Sequence, residues 1–345
     1  MAADRALTIA VFHEPSGWAL EDRYIDRIRE VADGRLELRR ATSTAQLADM
    51  LPGSTHLIGL PVSEDQITAI APPTGTLQWV QLTQSIGDAT PAVTAALRAG
   101  VLVCSAASIR APAIAEHGLT LLAALTRRLG DAIHAQAEHR WTGAELARKA
   151  RLISSLTVGI IASGPVAASL HTLLRATGAT IKWALPSDAR PFLGFPDDQS
   201  APDGGTPLPD LLADCDAVLV ACPRIPSHAG VLGKHEFARI RRGAMVIDLA
   251  GGGVVSESAL LDALRRDRVS AAALDGFERE PLTVGAPWWT MPNVIVTPRL
   301  AGAAEGYWDR AIEPIADNLR RALTGEACND QLPAPWVEDA ALARR

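Results

Sequence analysis

The feature that most constrains this chain is a repeated alternation of short, β-rich apolar runs with stretches of helical period. Runs at 7–12, 55–60, 77–82 and 101–104 are separated by helical patterns at 24–31 and 91–97. Strands that alternate with helices are joined by crossovers, which place the strands parallel in one sheet with helices on its faces. A long helical run at 111–127 and a polar stretch containing Trp141 follow, and then a second series opens. Its runs, at 156–161, 180–184, 217–221, 244–249, 271–274 and 294–297, are apolar throughout. Strands apolar on both faces belong to a parallel sheet covered by helices on two sides. Helical patterns at 166–176, 235–240 and 256–266 fit between them, the last with Ser256 as N-cap. The Pro-, Gly- and Asp-rich segment 186–209 reads as a surface loop, and a final helix is expected over 304–323.

At 345 residues the chain exceeds the size at which a single hydrophobic core keeps growing, so two compact domains are expected. Hydrophobic residues at 48% and charged residues at 21% mark a folded globular protein. The longest apolar runs, such as 119–125, are interrupted well before the ~18 residues that a membrane span requires. The amino terminus enters a strand-like run without the apolar stretch of a leader, which predicts a cytoplasmic protein. Cys104, Cys215, Cys222 and Cys328 form no C-x-x-C pair and no cluster with histidines, so neither zinc nor a disulfide framework is expected. A formal charge of −6 without a basic run argues against nucleic acid as a partner.

Several separated segments then agree in order: Ala115-Glu116-His117, Val158-Gly159-Ile160-Ile161, Gly252-Gly253-Val254-Val255, Ala273-Leu274-Asp275, Glu280-Pro281 and Pro292-Asn293-Val294-Ile295-Val296-Thr297-Pro298. Together they resemble the D-2-hydroxyacid dehydrogenases over roughly 77–331. The resemblance implies an α/β protein with a Rossmann-type doubly wound parallel sheet plus a flavodoxin-like substrate domain. It assigns 1–110 and 298–345 to a discontinuous substrate domain and 111–297 to the dinucleotide-binding domain, with substrate in the cleft between them. It also implies NAD or NADP as cofactor, a small carboxylate-bearing substrate, and a homodimer in which the segment around Trp141 acts as the dimerisation arm.

The residues that the resemblance singles out depart from the family pattern in places. The turn at Ser85-Ile86-Gly87-Asp88 matches the loop whose backbone N–H groups hold the substrate carboxylate, which makes Ile86 and Gly87 substrate-binding candidates. The dinucleotide fingerprint reads Ala162-Ser163-Gly164-Pro165-Val166-Ala167, so Ser163, Gly164, Pro165 and Val166 are the cofactor-binding candidates. Ala162 replaces the first glycine, where a Cβ is expected to crowd the turn. Leu185 stands where an acidic residue usually meets the adenosine ribose, which leaves the choice between NAD and NADP open, with Arg190 nearby as a partner for a 2′-phosphate or as a solvated side chain. Asp275 matches the residue that binds the nicotinamide carboxamide; its alternative reading is a buried structural aspartate.

The family's catalytic set is an arginine that clamps the substrate carboxylate, a glutamate, and a histidine that moves the proton. Here Gly251 stands in the arginine position and Arg299 in the histidine position, and Glu280 is kept. A guanidinium does not release a proton in the physiological range, so Arg299 cannot act as the histidine does. Arg299 either pairs with Glu280 or offers a bidentate fork to an anion. His117 lies on an apolar helix as a core histidine, and His228 lies on a loop. Tyr307 and Trp308 are read as substrate-site walls or as packing residues, and Trp288 and Trp289 as core. Three functions follow: a divergent oxidoreductase acting on an unusual carboxylate, a redox-neutral enzyme reusing the site, or a noncatalytic binding protein.

Overall fold

The computed structural model of the chain describes residues 5–83, 86–184, 205–224 and 228–332, of which 86–90 by backbone alone. Leu185 and Arg190, most of the loop at 186–209, and Ser85 lie outside the described residues. The chain forms two compact units; the first runs to Ile109 and resumes at Ala304, and the second runs from Arg110 to Ala303.

The first unit opens with β1 (Ala6–Ala10), the short antiparallel pair β2 (Phe12–His13) and β3 (Trp18–Ala19), and α1 (Asp22–Ala32). Then come β4 (Glu37–Ala41), α2 (Thr44–Met50), β5 (Ser54–Ile58), α3 (Glu64–Ile70), β6 (Trp79–Gln81), α4 (Ile86–Arg98) and β7 (Leu102–Cys104). Its parallel sheet has the order β4-β1-β5-β6-β7, the flavodoxin-like doubly wound arrangement. The central strands β1 and β5 are buried along their whole length, as strands covered on both faces must be. The edge strand β4 reads Glu-Leu-Arg-Arg-Ala and is only partly buried. An edge position tolerates charge, and so this strand carries no apolar run to reveal it.

The second unit contains most of α5 (Ala107–Thr126), then α6 (Leu129–Ala137), α7 (Gly143–Lys149), β8 (Thr157–Ile161), α8 (Gly164–Ala176), β9 (Thr180–Ala184) and α9 (Leu208–Asp214). It continues with β10 (Ala217–Val220), α10 (Lys234–Arg239), β11 (Ala244–Asp248), α11 (Glu257–Arg265), β12 (Val269–Asp275) and β13 (Val294–Thr297). All six strands are parallel in the order β13-β12-β11-β10-β8-β9, and the order reverses between β8 and β10. The two-residue period of each strand feeds two separate cores. Val218, Val220 and Val246 face a core with Phe237, Leu260 and Trp288, whereas Leu219, Met245 and Ile247 face one with Leu122, Ile160 and Leu170. Ser256 caps α11 by accepting from the Ala259 N–H at 3.4 Å.

The chain returns to the first unit with α12 (Tyr307–Thr324), whose Ile312, Ile315 and Leu319 pack into the core holding Leu7, Ile28 and Trp79. All four cysteines are free and buried. Of the tryptophan pair expected in the core, Trp288 is buried but Trp289 is 53% exposed. Trp289 keeps its indole N–H on the Thr283 carbonyl at 2.9 Å, so only its polar edge is tied down. No helix among the described residues is long and apolar enough to cross a membrane.

Asp248 ends β11 with its carboxyl buried and accepting from the Ala250 N–H at 2.9 Å. Burial, reinforced by the charges of Asp275 and Glu257, pushes this carboxyl up to about 7. The folded protein therefore holds a proton here that the unfolded chain loses near pH 3.8, and stability falls as pH rises between the two values. Asp248→Asn should melt above the parent at pH 8, with the gap opening from about pH 4 and levelling above about pH 7 in thermal unfolding.

Candidate active site

Five residues gather at the carboxyl ends of four neighbouring parallel strands, where open α/β sheets bind ligands. Arg224 follows β10, Gly251 follows β11, Asp275 closes β12 with Glu280 in the loop beyond it, and Arg299 follows β13. All lie in the second unit.

Asp275 fixes the local geometry. Its buried carboxylate accepts from the Thr297 hydroxyl at 2.6 Å, the Leu300 N–H at 2.7 Å and the Ala301 N–H at 2.9 Å. The Thr297 hydroxyl has one proton and spends it on Asp275, so the His117 ring, 3.1 Å away through Nε2, donates to Thr297. His117 is thereby a strut on α5 that donates through Nε2, which lies 3.4 Å from Asp275 itself. These bonds turn the chain sharply at 297–301 and hold Arg299 at φ +56°, in the left-handed region. That conformation costs an ordinary residue roughly 1–2 kcal/mol, which the three hydrogen bonds to Asp275 offset.

From this turn the Arg299 guanidinium reaches back across the strand ends. Its Nε donates to Glu280 Oε2, and Nη2 donates to the Gly251 carbonyl at 3.1 Å. Glu280 is held in turn by the Phe277 N–H, which donates to Oε1 at 2.7 Å. Gly251 has φ +82°, and a Cβ built there would stand 3.0 Å from Arg299 Nη1. Gly276 approaches as closely: its added Cβ would meet Gly251 Cα and Glu280 Oε1, each at 2.9 Å. The guanidinium of Arg299 therefore occupies space that a side chain at position 251 would need. Two of its five N–H donors are engaged among the described residues, and its side chain is 35% exposed.

Arg224 was not among the residues singled out from sequence, yet its Nη1 donates to the same Gly251 carbonyl at 3.4 Å. It stands three residues beyond the apolar run 217–221, near the carboxyl end of a strand, which is the one sequence feature that places it here. His228 is buried with Nδ1 on the Pro223 carbonyl at 2.9 Å.

At the end of β8 the fingerprint loop differs from expectation. Ala162 does not crowd the turn; its side chain packs into the core beside Ile160 and Ala167, and the left-handed residue is Gly164 at φ +69°. Ser163 is the N-cap residue of α8, 5% exposed, and its Oγ has no hydrogen-bond partner among the described residues. Pro165 and Val166 lie in the first turn of the helix. A buried hydroxyl without a partner at the positive end of a 13-residue helix fits an anionic group such as a nucleotide phosphate.

In the first unit, Ile86 and Gly87 are the first residues of α4 and not part of a turn, so their N–H groups belong to a helix N-terminus. The Tyr307 hydroxyl donates to the Thr83 carbonyl at 2.8 Å. Trp308 packs against Tyr24, ring centroids 6.2 Å apart, at the edge of the first unit's core.

The matches to known proteins agree with this architecture. The D-3-phosphoglycerate dehydrogenase of Mycobacterium bovis is 33% identical over 264 residues, covering 71% of this chain and 47% of the relative. The chain thus spans about half the length of the curated relatives it matches. Among solved structures, a D-isomer specific 2-hydroxyacid dehydrogenase from Xanthobacter autotrophicus Py2 superposes with a TM-score of 0.72 at 24% identity, covering 95% of this chain and 98% of that one. A glyoxylate/hydroxypyruvate reductase from Sinorhizobium meliloti gives 0.72 at 19% identity, with coverage of 95% and 98%. The family model described as D-isomer specific 2-hydroxyacid dehydrogenase, NAD binding domain, matches residues 119–301, more than half of the chain, and the chain belongs to that family.

Proposed function

We propose that this chain is a divergent nicotinamide-dependent oxidoreductase of the 2-hydroxyacid type, in which the carboxylate clamp has moved from position 251 to Arg299. The observation that carries the reading is the Arg299 guanidinium, fixed on Glu280 and the Gly251 carbonyl with three N–H donors still free for an anion among the described residues. A planar fork held in place by a carboxylate is suited to a substrate carboxylate, and charge-assisted pairs of this kind are about twice as strong as neutral ones. Glu280 acts here as a positioning residue through its bond to Arg299.

The nucleotide part of the reading rests on the α8 N-terminus with Ser163 and Gly164, and on the relatives. The Xanthobacter protein was solved with NADPH and MES, and the Sinorhizobium protein with NADP and sulfate. A nicotinamide nucleotide, when bound, supplies or accepts a hydride. Asp275, which accepts from Thr297, Leu300 and Ala301, serves as the scaffold of the Arg299 turn in addition to the nicotinamide contact that the family pattern assigns to it.

The altered set also limits the substrate. No histidine stands at position 299 to move a proton, and Glu280 is engaged by Arg299, so ordinary 2-oxoacid reduction should run about 10² to 10⁴ slower than with a positioned acid. The substrate is accordingly a small carboxylate whose turnover does not depend on that proton donor. The fully exposed Trp141, between α6 and α7, supports the reading of this segment as a homodimer arm.

Calorimetry should give micromolar binding of NADH or NADPH; absence of heat at millimolar nucleotide would rule the oxidoreductase reading out in favour of a redox-neutral or noncatalytic role. Arg299→Met should weaken binding of glyoxylate or pyruvate to the nucleotide complex by at least about 10-fold while leaving nucleotide affinity in place. Equal carboxylate affinity in that variant would remove Arg299 from the site.

A further inference from the structure

Resting on the nucleotide reading above, we infer that the Ser163 hydroxyl is a direct phosphate donor in this chain, standing in for the backbone N–H that Pro165 cannot provide. The first four N–H groups of an α-helix have no acceptor within the helix, and an anion at that end is held by them. In α8 the first residue is Gly164 and the second is Pro165, so one of those donors is missing.

The same substitution removes one of the two ordinary partners of an N-cap side chain, which accepts from the N–H of the second or third helical residue. The third, Val166, is not bonded by Ser163 either, since the N-cap makes no side-chain hydrogen bond. Ser163 is 5% exposed and its Oγ has no partner among the described residues. A buried hydroxyl in that state is destabilising in a chain that never uses it. Contrast Ser43, Ser63 and Ser256, whose hydroxyls all cap their helices by accepting from the backbone. Ser163 is thus a cap residue that does not cap, placed over a helix end short of one donor. A serine turns among three staggered positions about a single bond, which lets the hydroxyl donate toward the first turn when an anion arrives there. The ligand is a phosphate group of the bound dinucleotide, and the bond runs from Ser163 Oγ–H to a phosphate oxygen.

The test is the affinity of the full chain for NADH and NADPH, read by calorimetry in the parent, Ser163→Ala and Ser163→Thr, with thermal melts of each protein without nucleotide. The expected result is a loss of about 10- to 100-fold in Ser163→Ala, affinity within about 3-fold of the parent in Ser163→Thr, and a nucleotide-free Ser163→Ala that melts no lower than the parent. Unchanged affinity in Ser163→Ala overturns the inference and leaves the nucleotide reading standing. A Ser163→Ala protein that binds weakly but also melts well below the parent makes Ser163 a structural residue and overturns it as well. A parent that binds neither nucleotide at millimolar concentration overturns the nucleotide reading together with this inference.

Discussion

The carboxylate of Asp275 is the anchor on which the candidate site depends. Three donors from 297–301 converge on one buried anion, and His117 braces the arrangement from α5. A chain folded tightly around a carboxylate has little freedom, which is how Arg299 is kept in a left-handed backbone conformation that an arginine otherwise avoids. Because β12 and β13 are neighbours in register, with Asp275 opposite Thr297, the turn is set by the sheet and the guanidinium inherits that precision.

Once Arg299 is placed, the two departures from the family pattern become one. Position 251 is a glycine with φ +82° whose added Cβ would lie 3.0 Å from the guanidinium, and position 299 is the residue that supplies that guanidinium. On the reading proposed above, the clamp's charge stands at the end of β13 and not of β11, and Glu280 is paired with Arg299. On that reading the set favours anion binding over proton transfer, since a guanidinium is a donor of hydrogen bonds and not of protons.

The sheets were legible because their strands are buried on both faces: runs such as Ala217–Val220 and Ala244–Asp248 leave no other reading. The edge strand Glu37–Ala41 was not, since solvent at an edge permits Leu-Arg-Arg. In the site, Arg299 and Gly251 stand out as departures beside the retained Glu280 in an ordered set of motifs, but their mutual distances depend on where three separate strand ends fall. Ala162 does not meet the expected crowding because the left-handed residue of the loop lies two residues later, at Gly164. Arg224 escaped notice for the same reason that surface arginines usually do: nothing in its neighbours in sequence shows that it meets Gly251.

The most direct measurement is the rate of glyoxylate reduction, with NADH and with NADPH, by the double variant Gly251→Arg, Arg299→His beside each single variant and the parent. If the clamp has moved and the scaffold is otherwise intact, the double variant should exceed the parent and both singles by about 100-fold or more in kcat/KM, because Gly251→Arg alone adds a guanidinium where that of Arg299 already stands and Arg299→His alone removes the one held by Glu280. A double variant that folds like the parent, binds nucleotide and reduces glyoxylate no faster than the singles would contradict the account.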